Sequence, residues 1–229
     1  MSWLAALSAL AAALPSTPAQ TNDAERNPRY QDCIALLEED QEIGRIAARQ
    51  WYADGGGAPA LHCLAVADLA AGFPKLAAVR LMELADRSDA GDDHVRARIL
   101  SQAAKAWLEA GETEQAESAL QAAFRHAPGS GELELTAAEV YAAGERWQDT
   151  ADAVTRAEEA GFVSVKGFVL RARSLIALTD YHAAAEDVVR ALKIDPFDID
   201  ALVLRGELQQ RGVVINANYR RAGETDGEN

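Results

Sequence analysis

Residues 97–130 read ARILSQAAKAWLEAGETEQAESALQAAFRHAPGS. This stretch is 34 residues long, and further copies of its pattern begin at Gly131, Val165 and Ile199. Within the stretch, seven residues follow the order small, aromatic, glycine, small, apolar, small, proline. They are Ala104, Trp107, Gly111, Ala116, Leu120, Ala123 and Pro128. A fixed period of this length indicates a stack of structural repeats.

The neighbouring copies keep the same order of small, aromatic and apolar residues. The Gly131 copy contains Ala138, Tyr141, Trp147, Val154 and Ala157, and the Val165 copy contains Ala172, Leu175, Tyr181, Ala184, Val188, Ala191 and Pro196. An earlier copy starts near Ala58, and five extra residues separate it from the copy at Ala97. Over residues 58–211 this period and pattern resemble the tetratricopeptide repeat, a pair of antiparallel helices.

The resemblance implies an all-α fold, a right-handed superhelical solenoid of antiparallel helix pairs. The spacing also has a physical reason, because small residues such as Ala104 and Ala116 let the two helices of a pair approach closely. Gly111 ends the first helix and Pro128 stops the second. The alternative is a plain alanine-rich bundle, but three copies in one register argue against it. Each pair leaves an apolar face that only neighbouring pairs can cover.

The two ends depart from the repeat. Residues 1–20 contain no Lys, Arg, Asp or Glu, and the apolar stretch from Trp3 to Leu14 is too short to span a membrane. We expect a secretory signal segment cleaved after Ala19, although the basic residues usual at its start are missing. The segment could instead be an uncleaved anchor, the first helix of the domain, or the result of a start assigned downstream of the true one.

The remaining boundaries follow from helix signals. Residues 21–57 should form an atypical helix pair, with helices near residues 29–38 and 41–53 and a stop at the triple glycine 55–57. A lone first-type helix over residues 199–211 should cap the stack. The chain after Ile215 is polar and lacks periodicity, and we predict that residues 212–229 form a disordered tail.

Composition narrows the function. The chain has 36 acidic and 22 basic residues and a net charge of −14, which disfavours nucleic acid and anionic membrane surfaces as partners. No nucleophile motif, phosphate-binding loop or cofactor motif is present in the sequence, so we expect a protein that is not an enzyme and binds no cofactor.

The two cysteines, Cys33 and Cys63, each fall on the first helix of a pair. Because first helices of adjacent pairs pack side by side, a disulfide between them is geometrically reasonable and suits an exported protein. Two buried free thiols are the alternative. A metal or redox site using His62 with these cysteines is disfavoured, because adjacent residues on a helix point about 100° apart.

In relatives of this repeat family the first helices line a concave groove that holds a peptide or a partner's helix, and the resemblance implies such a groove here. The register places twelve residues in it: Arg98, Ser101, Lys105, Glu132, Leu135, Glu139, Lys166, Val169, Arg173, Asp200, Val203 and Glu207. Basic and acidic sets alternate, and the absence of asparagine among them makes binding of chaperone C-terminal tails doubtful. Pairing of these charges with each other, with no partner bound, is the alternative.

Two functions of different class remain. The first is a non-enzymatic scaffold or adaptor that binds a protein or peptide in the groove, in the periplasm or as a secreted protein if residues 1–20 direct export, and otherwise in the cytoplasm. The second is a carrier that encloses an apolar small molecule or lipid. The sequence leaves the identity of the partner and the oligomeric state open.

Overall fold

The computed structural model of the chain describes residues 27–215. The predicted signal segment, its cleavage after Ala19 and the tail beyond residue 215 lie outside this range. The described residues form helices and contain no strand. The helices are α1 (Pro28–Glu39), α2 (Gln41–Ala53), α3 (Gly57–Ala70), α4 (Pro74–Asp86), α5 (Asp93–Glu109), α6 (Thr113–His126), α7 (Gly131–Ala143), α8 (Trp147–Glu159), α9 (Val165–Ala177), α10 (Tyr181–Ile194) and α11 (Ile199–Gln210).

The helices pack in pairs that follow the chain order, from α1 with α2 to α9 with α10. First helices of consecutive pairs also contact each other: α5 contacts α7, α7 contacts α9, and α9 contacts α11. Helix α11 begins a further pair, of which the described residues contain no second helix. This arrangement confirms the all-helical repeat fold that the 34-residue period predicts.

Small residues make the close approach within each pair possible. The first helices contribute Ala65, Ala104, Ala138 and Ala172, of which Ala65 is 1% exposed and the others 0%. The second helices contribute Ala77, Ala116, Thr150 and Ala184 at the equivalent positions, and all four are 0% exposed. Since these side chains are short, the backbones can pack tightly and the larger residues fill the space between pairs.

The helix boundaries follow local signals. Helix α2 occupies Gln41–Ala53, the predicted range, and the Asp40 carboxylate caps it by accepting the backbone N–H groups of Glu42 and Ile43 at 3.0 Å. Helix α5 starts at Asp93, earlier than the copy at Ala97, so part of the five-residue insertion extends this helix. The rest lengthens the turn between the two pairs, which spans residues 87–92.

One arginine holds the inserted turn. The Arg96 guanidinium donates to the carbonyl oxygens of Ala85 and Gly91, and to that of Arg87 at 2.7 Å. These carbonyls lie at the end of α4 and in the turn, where no backbone donor reaches them through a helix. The insertion is therefore fixed by α5 rather than left as a loose loop.

The turn inside each pair requires one residue in the left-handed region. Gly72 and Gly111 occupy this position with φ of 78° and 75°. In the next two copies the same position holds Glu145 and Thr179, with φ of 55° and 65°. A residue with a side chain, above all a β-branched one, is strained in this conformation. The two later turns therefore cost stability that the glycine turns do not.

The chain after α11 turns back on the last helix. The backbone N–H groups of Gly212 and Val213 donate to the carbonyls of Gln209 and Leu208, each at 3.0 Å. Ile215 is 6% exposed and belongs to the same apolar cluster as Leu204 and Leu208. The sequence prediction assigned residues 212–215 to a disordered tail, but Ile215 supplies apolar surface that packs on the core.

No helix among residues 27–215 combines the length and the apolar character needed to cross a bilayer.

Candidate functional site

The first helices of the pairs form one continuous surface, which we name the first-helix face: α1, α3, α5, α7, α9 and α11. Side-chain contacts join each first helix to the next. At one end the Tyr30 hydroxyl lies 2.8 Å from Nδ1 of His62, and Nε2 of His62 lies 2.8 Å from Oε1 of Gln102. The imidazole of α3 thus connects α1 with α5 and lies between two polar partners.

The structure buries two of the twelve residues that the register places in the groove. Ser101 is 3% exposed, and its hydroxyl lies 2.9 Å from that of Thr136 on α7. Val169 is 6% exposed and packs in the cluster that includes Leu204 of α11. Both hold the same position in their copies, and the first helix of the following copy covers it. The equivalent Val203 is 62% exposed because no first helix follows α11 among the described residues.

The charged residues of the face are arranged as couples between consecutive first helices. Glu139 Oε2 lies 2.7 Å from Lys166 Nζ, and Asp200 Oδ1 lies 3.6 Å from Arg173 Nη2. In each couple, one residue comes late in a first helix and the other comes early in the next first helix. These two closed couples match the alternative in which charges of the face pair with each other.

A third couple on the face is open. Lys105 and Glu132 occupy the same relative positions on α5 and α7, yet neither forms an ion pair with another described residue. Leu135, one turn after Glu132, is only partly buried. The charges of Lys105 and Glu132 are therefore free to meet a ligand, whereas those of the other two couples are occupied.

The other two predicted groove residues make contacts within the described part of the protein. Arg98 is partly buried on α5 and has contacts of its own. Glu207 of α11 forms an ion pair with Arg211 at 2.8 Å. The structure thus places an open, mixed charge couple at the centre of the face rather than a groove lined evenly by all twelve residues.

A disulfide fastens the first pair to the second. Cys33 of α1 and Cys63 of α3 are bonded, with their Cα atoms 6.5 Å apart, which agrees with the predicted pairing. Both residues are buried. Their sulfur atoms are therefore not available as thiolate ligands. Within residues 27–215, no group of three or more His, Cys, Asp or Glu side chains is placed to hold a metal ion.

A buried carboxylate that the sequence analysis did not single out, that of Asp68, lies on α3, the helix that also carries Cys63. Asp68 is 0% exposed, and its oxygens contact Nε of Arg45 at 2.7 Å and Nη1 of Arg80. Burial, followed by the nearby Arg45 guanidinium, lowers the pKa of Arg80. The three charged residues lie on α2, α3 and α4, so this cluster joins the first two pairs. The repeat register does show this site as unusual, because Asp68 holds the position that Trp107, Tyr141 and Leu175 hold in the other copies.

A second ionic cluster joins the last complete pair to the second helix of the pair before it. Arg171 of α9 is bonded to Asp187 of α10 at 2.7 Å and to Glu158 of α8 at 3.0 Å. The hydrogen bonds to Asp187 raise the pKa of Arg171 although burial opposes the shift. The cluster joins three helices, and its oxygen atoms are already engaged. It therefore acts in packing between repeats rather than as a reactive site.

An apolar surface that was also missed lies on α4. Phe73, Leu76 and Val79 are 47%, 38% and 48% exposed and line a solvent-open cavity of about 620 Å³ near Glu109. Leu76 and Val79 are three residues apart, a spacing that puts them on one exposed side of the helix. In the sequence, the exposed surface is indicated by Leu76 and Val79, two large apolar residues that do not fall on the small and apolar positions of the repeat.

Comparison with known proteins identifies the fold. No protein-family model matches the sequence, and no curated protein does. Solved structures do match. TTC0263, a thermophilic TPR protein of Thermus thermophilus, is 20% identical with a TM-score of 0.59 over 81% of this chain and 99% of its own.

Two further structures agree. MamA (residues 41 to the end) from Desulfovibrio magneticus RS-1 is 13% identical, with a TM-score of 0.60 over 79% of this chain and 99% of its own. YrrB, described as a TPR protein with an unusual peptide-binding site, is 14% identical, with a TM-score of 0.58 over 80% of this chain and 96% of its own. Similarity at these identities establishes a shared fold.

Proposed function

Since the chain has the fold of the tetratricopeptide-repeat proteins, we propose that it is a non-enzymatic interaction scaffold. It binds a peptide or a helix of a partner protein on the first-helix face, at the centre formed by α5 and α7. Repeat solenoids present extended surfaces of this kind to their partners. The proposal is supported by the fold together with the distribution of free and occupied charges on the face.

The observation that carries the proposal is the open couple of Lys105 and Glu132. In the other two couples the charges neutralise each other, so a ligand would have to break an ion pair before using them. At Lys105 and Glu132 no ion pair with another described residue has to be broken. A segment with an acidic and a basic residue around an apolar side chain would match Lys105, Glu132 and Leu135.

The experiment exchanges the two charges. Lys105→Glu combined with Glu132→Lys keeps the net charge and the composition but reverses the polarity of the open couple. The matched control is Glu139→Lys combined with Lys166→Glu, which makes the same exchange at a closed couple. Tagged full-length proteins are expressed in the native host, crosslinked mildly, and the captured proteins are quantified by mass spectrometry.

We expect one captured protein to fall by about tenfold with the exchange at 105 and 132, because like charges then face each other across the interface. The control exchange should change capture by about twofold or less, since a closed couple contributes little to binding. Equal capture by wild type and both variants would contradict binding at this site.

We propose in addition that the protein acts outside the cytoplasm, in the cell envelope. The buried Cys33–Cys63 disulfide is typical of oxidising compartments, and the uncharged segment 1–20 has the character of a secretory signal. Fractionation of the native host, thiol trapping and N-terminal sequencing test this. Oxidised cysteines in an envelope fraction with Gln20 as the first residue are expected. Free thiols in the cytoplasm would contradict the proposal.

A second candidate function is a carrier of an apolar small molecule. It is favoured by the cavity of about 620 Å³ beside Phe73, Leu76 and Val79, whose volume lies in the range of small-molecule sites. The cavity opens to solvent rather than enclosing a ligand, so we rank this function second. A fatty acid that raises the unfolding temperature of the wild type but not of Leu76→Asp would promote it.

A further inference from the structure

The open side of the second helices changes character along the chain. Each second helix has at its fourth position the buried residue that packs closely on its first helix, namely Gly44, Ala77, Ala116, Thr150 and Ala184. At the third and sixth positions, α2 has Ile43 and Ile46 and α4 has Leu76 and Val79, all four of them exposed. The later second helices have small or polar residues there, namely Gln115, Ser118, Asp149, Asp152, Ala183 and Glu186. Among the second helices that the structure describes, large apolar residues at both positions are therefore confined to the first two pairs.

Helices α2 and α4 lie side by side and are joined along their length. Near their starts, the guanidinium carbon of Arg45 lies 4.5 Å from the centre of the Phe73 ring. In the middle the Asp68 cluster joins them, and near their ends the Tyr52 hydroxyl donates to Glu83 at 3.0 Å. The exposed residues of the two helices thus form one surface. We name it the α2–α4 face, and it consists of Ile43, Ile46, Arg49, Leu76 and Val79.

Positive charge on the α2–α4 face is not balanced by the described residues. Helix α2 has Arg45 and Arg49 against Glu42, whereas α4, α6, α8 and α10 each have at least as many acidic as basic residues, with histidine counted as neutral. One carboxylate, that of Asp68, pairs with both Arg45 and Arg80. Burial, followed by the nearby guanidinium groups of Arg45 and Arg49, lowers the pKa of Arg80. Arg49 itself is exposed and forms no ion pair or hydrogen bond with another described residue, so a carboxylate from outside would supply its missing partner.

We propose that an amphipathic helix of a partner protein binds the α2–α4 face. Its apolar residues pack on Ile46, Leu76 and Val79, and an Asp or Glu side chain pairs with Arg49. This surface is on the second helices and is separate from the first-helix face, so the proposal does not depend on the function proposed above. The chain thus has a second binding surface, which selects an acidic rather than a mixed-charge segment.

The α2–α4 face itself specifies this occupant. In each of the two helices the apolar residues of the face are three positions apart, so each helix presents a short apolar row. A helix laid between two such rows contacts both with residues at positions i, i+3, i+4 and i+7. An exposed arginine prefers a carboxylate, which accepts two of its N–H groups. The disulfide and the Asp68 cluster fix the first two pairs together before binding, which lowers the entropy cost of the complex.

Two other occupants of the α2–α4 face fit less well. An isologous dimer through this face would bring two uncompensated Arg49 side chains into one interface, where like charges repel. An anionic membrane would meet a protein with a net charge of −14. The experiment distinguishes both from a partner helix.

The experiment identifies the bound segment directly. The photo-crosslinking amino acid p-benzoylphenylalanine is placed at Ile43, at the edge of the α2–α4 face, in the full-length protein in its native host. Crosslinked peptides are then sequenced by mass spectrometry. The matched control has the same amino acid at Gln115, the equivalent position of α6.

We expect position 43, but not position 115, to capture a segment with apolar residues at helical spacing and at least one Asp or Glu. A synthetic peptide of this segment should bind the purified full-length protein, as measured by fluorescence anisotropy. Ile46→Asp and Arg49→Glu should each weaken its binding by about tenfold or more. Replacing the acidic residue of the peptide by Lys should restore binding to Arg49→Glu, because the charge pair is then reversed rather than lost.

The control variant is Arg125→Glu. Arg125 is an exposed arginine of α6 that also forms no ion pair with another described residue, so this variant makes the same charge change outside the face. It should alter binding of the peptide by about twofold or less. Thermal unfolding verifies that the three variants remain folded.

Several results would overturn the proposal. They are the absence of a crosslink from position 43, equal capture from both positions, a captured segment without an acidic residue, and peptide binding that is insensitive to Arg49→Glu. Crosslinks to a second copy, to lipid or to residues 1–26 or 216–229 of the chain would assign the face to that occupant instead. Binding lost in Leu76→Asp but kept in Ile46→Asp would place the peptide in the cavity beside α4, which Ile46 does not line. Binding lost on exchange of Lys105 and Glu132 would place it on the first-helix face.

Discussion

The two ends of the solenoid both depart from the repeat, but they do so differently. At the N-terminal end, α1 and α2 lack the 34-residue pattern, and the Cys33–Cys63 disulfide and the Asp68 cluster join this pair to the next one. At the C-terminal end, α11 keeps the pattern of a first helix, but Ile199 and Val203 are exposed and Gly206 has open space around it. Contacts within the chain thus replace the missing repeat pattern at the N-terminal end, whereas the C-terminal end keeps the pattern and the described residues contain no second helix for α11.

The largest expected effect is the loss of the disulfide. Cys33→Ser combined with Cys63→Ser opens a loop of 30 residues, and loop entropy predicts a loss of about 3 to 4 kcal/mol from the free energy of unfolding. Hydrogen exchange should show faster exchange in α1 and α2 and unchanged exchange in α9 and α10, because each repeat contacts only its neighbours. Reduction of the wild type should reproduce the shift, and a uniform loss along the chain would contradict the comparison.

The next effect concerns the ionic link at the same end. Asp68→Asn leaves Arg45 and Arg80 without their carboxylate, and we expect a loss of about 3 kcal/mol in denaturant unfolding. Asp68→Leu, which restores the residue of the Val165 copy, should cost less, because the partly exposed guanidinium groups can reach water while leucine fills the space. Equal losses would mean that filling the space with an apolar side chain gives no compensation.

Much of the fold could be predicted from the sequence, because the repeat register is a local pattern repeated several times. The register located the turns at Gly111 and Pro128, and cap and glycine signals located α2. The pairing of Cys33 with Cys63 followed from placing both on first helices. Such features depend on spacing along the chain, which the sequence contains directly.

The site could be predicted only in outline. Which groove positions are exposed depends on how far the next first helix covers them, and Ser101 and Val169 are covered for this reason. The register also cannot tell that Glu139 and Lys166 close into an ion pair while Lys105 and Glu132 do not. Side-chain geometry between repeats decides these points. The burial of Asp68 was visible only as a departure from the pattern.

A smaller effect on stability is expected at the turns that contain a residue in the left-handed region. The turns after α2, α3 and α5 have glycine in the left-handed region, whereas Glu145 and Thr179 adopt it in the later pairs. Thr179→Gly should raise the free energy of unfolding by about 0.5 to 1 kcal/mol, because it removes the strain of a β-branched residue. Gly111→Thr should lower it by a similar or larger amount. A destabilising Thr179→Gly, measured by denaturant unfolding, would contradict the strain.

The smallest effect is a pH dependence at the start of α3. Asp89 accepts the backbone N–H of Ala58 at 3.1 Å, and its hydrogen bond with Arg87 lowers the pKa of the carboxyl. Because the pKa is lower in the folded state, the contact stabilises the fold above the ordinary pKa of about 3.9 and is lost as pH falls through the folded-state pKa. We expect about 0.3 kcal/mol, since Asp89 is half exposed. Asp89→Asn should remove the loss of amide-exchange protection in α3 that acidification causes in the wild type.

The covalent link between α1 and α3 also limits how far the chain can be drawn out under tension. Repeats that contact only their neighbours carry a pulling force in series, so the least resistant pairs extend first. The 30-residue loop closed by Cys33 and Cys63 withholds about 100 Å of contour length that the unlinked chain would release. The part of the N-terminal end inside this loop therefore cannot extend, and under tension the chain lengthens in the pairs that follow it.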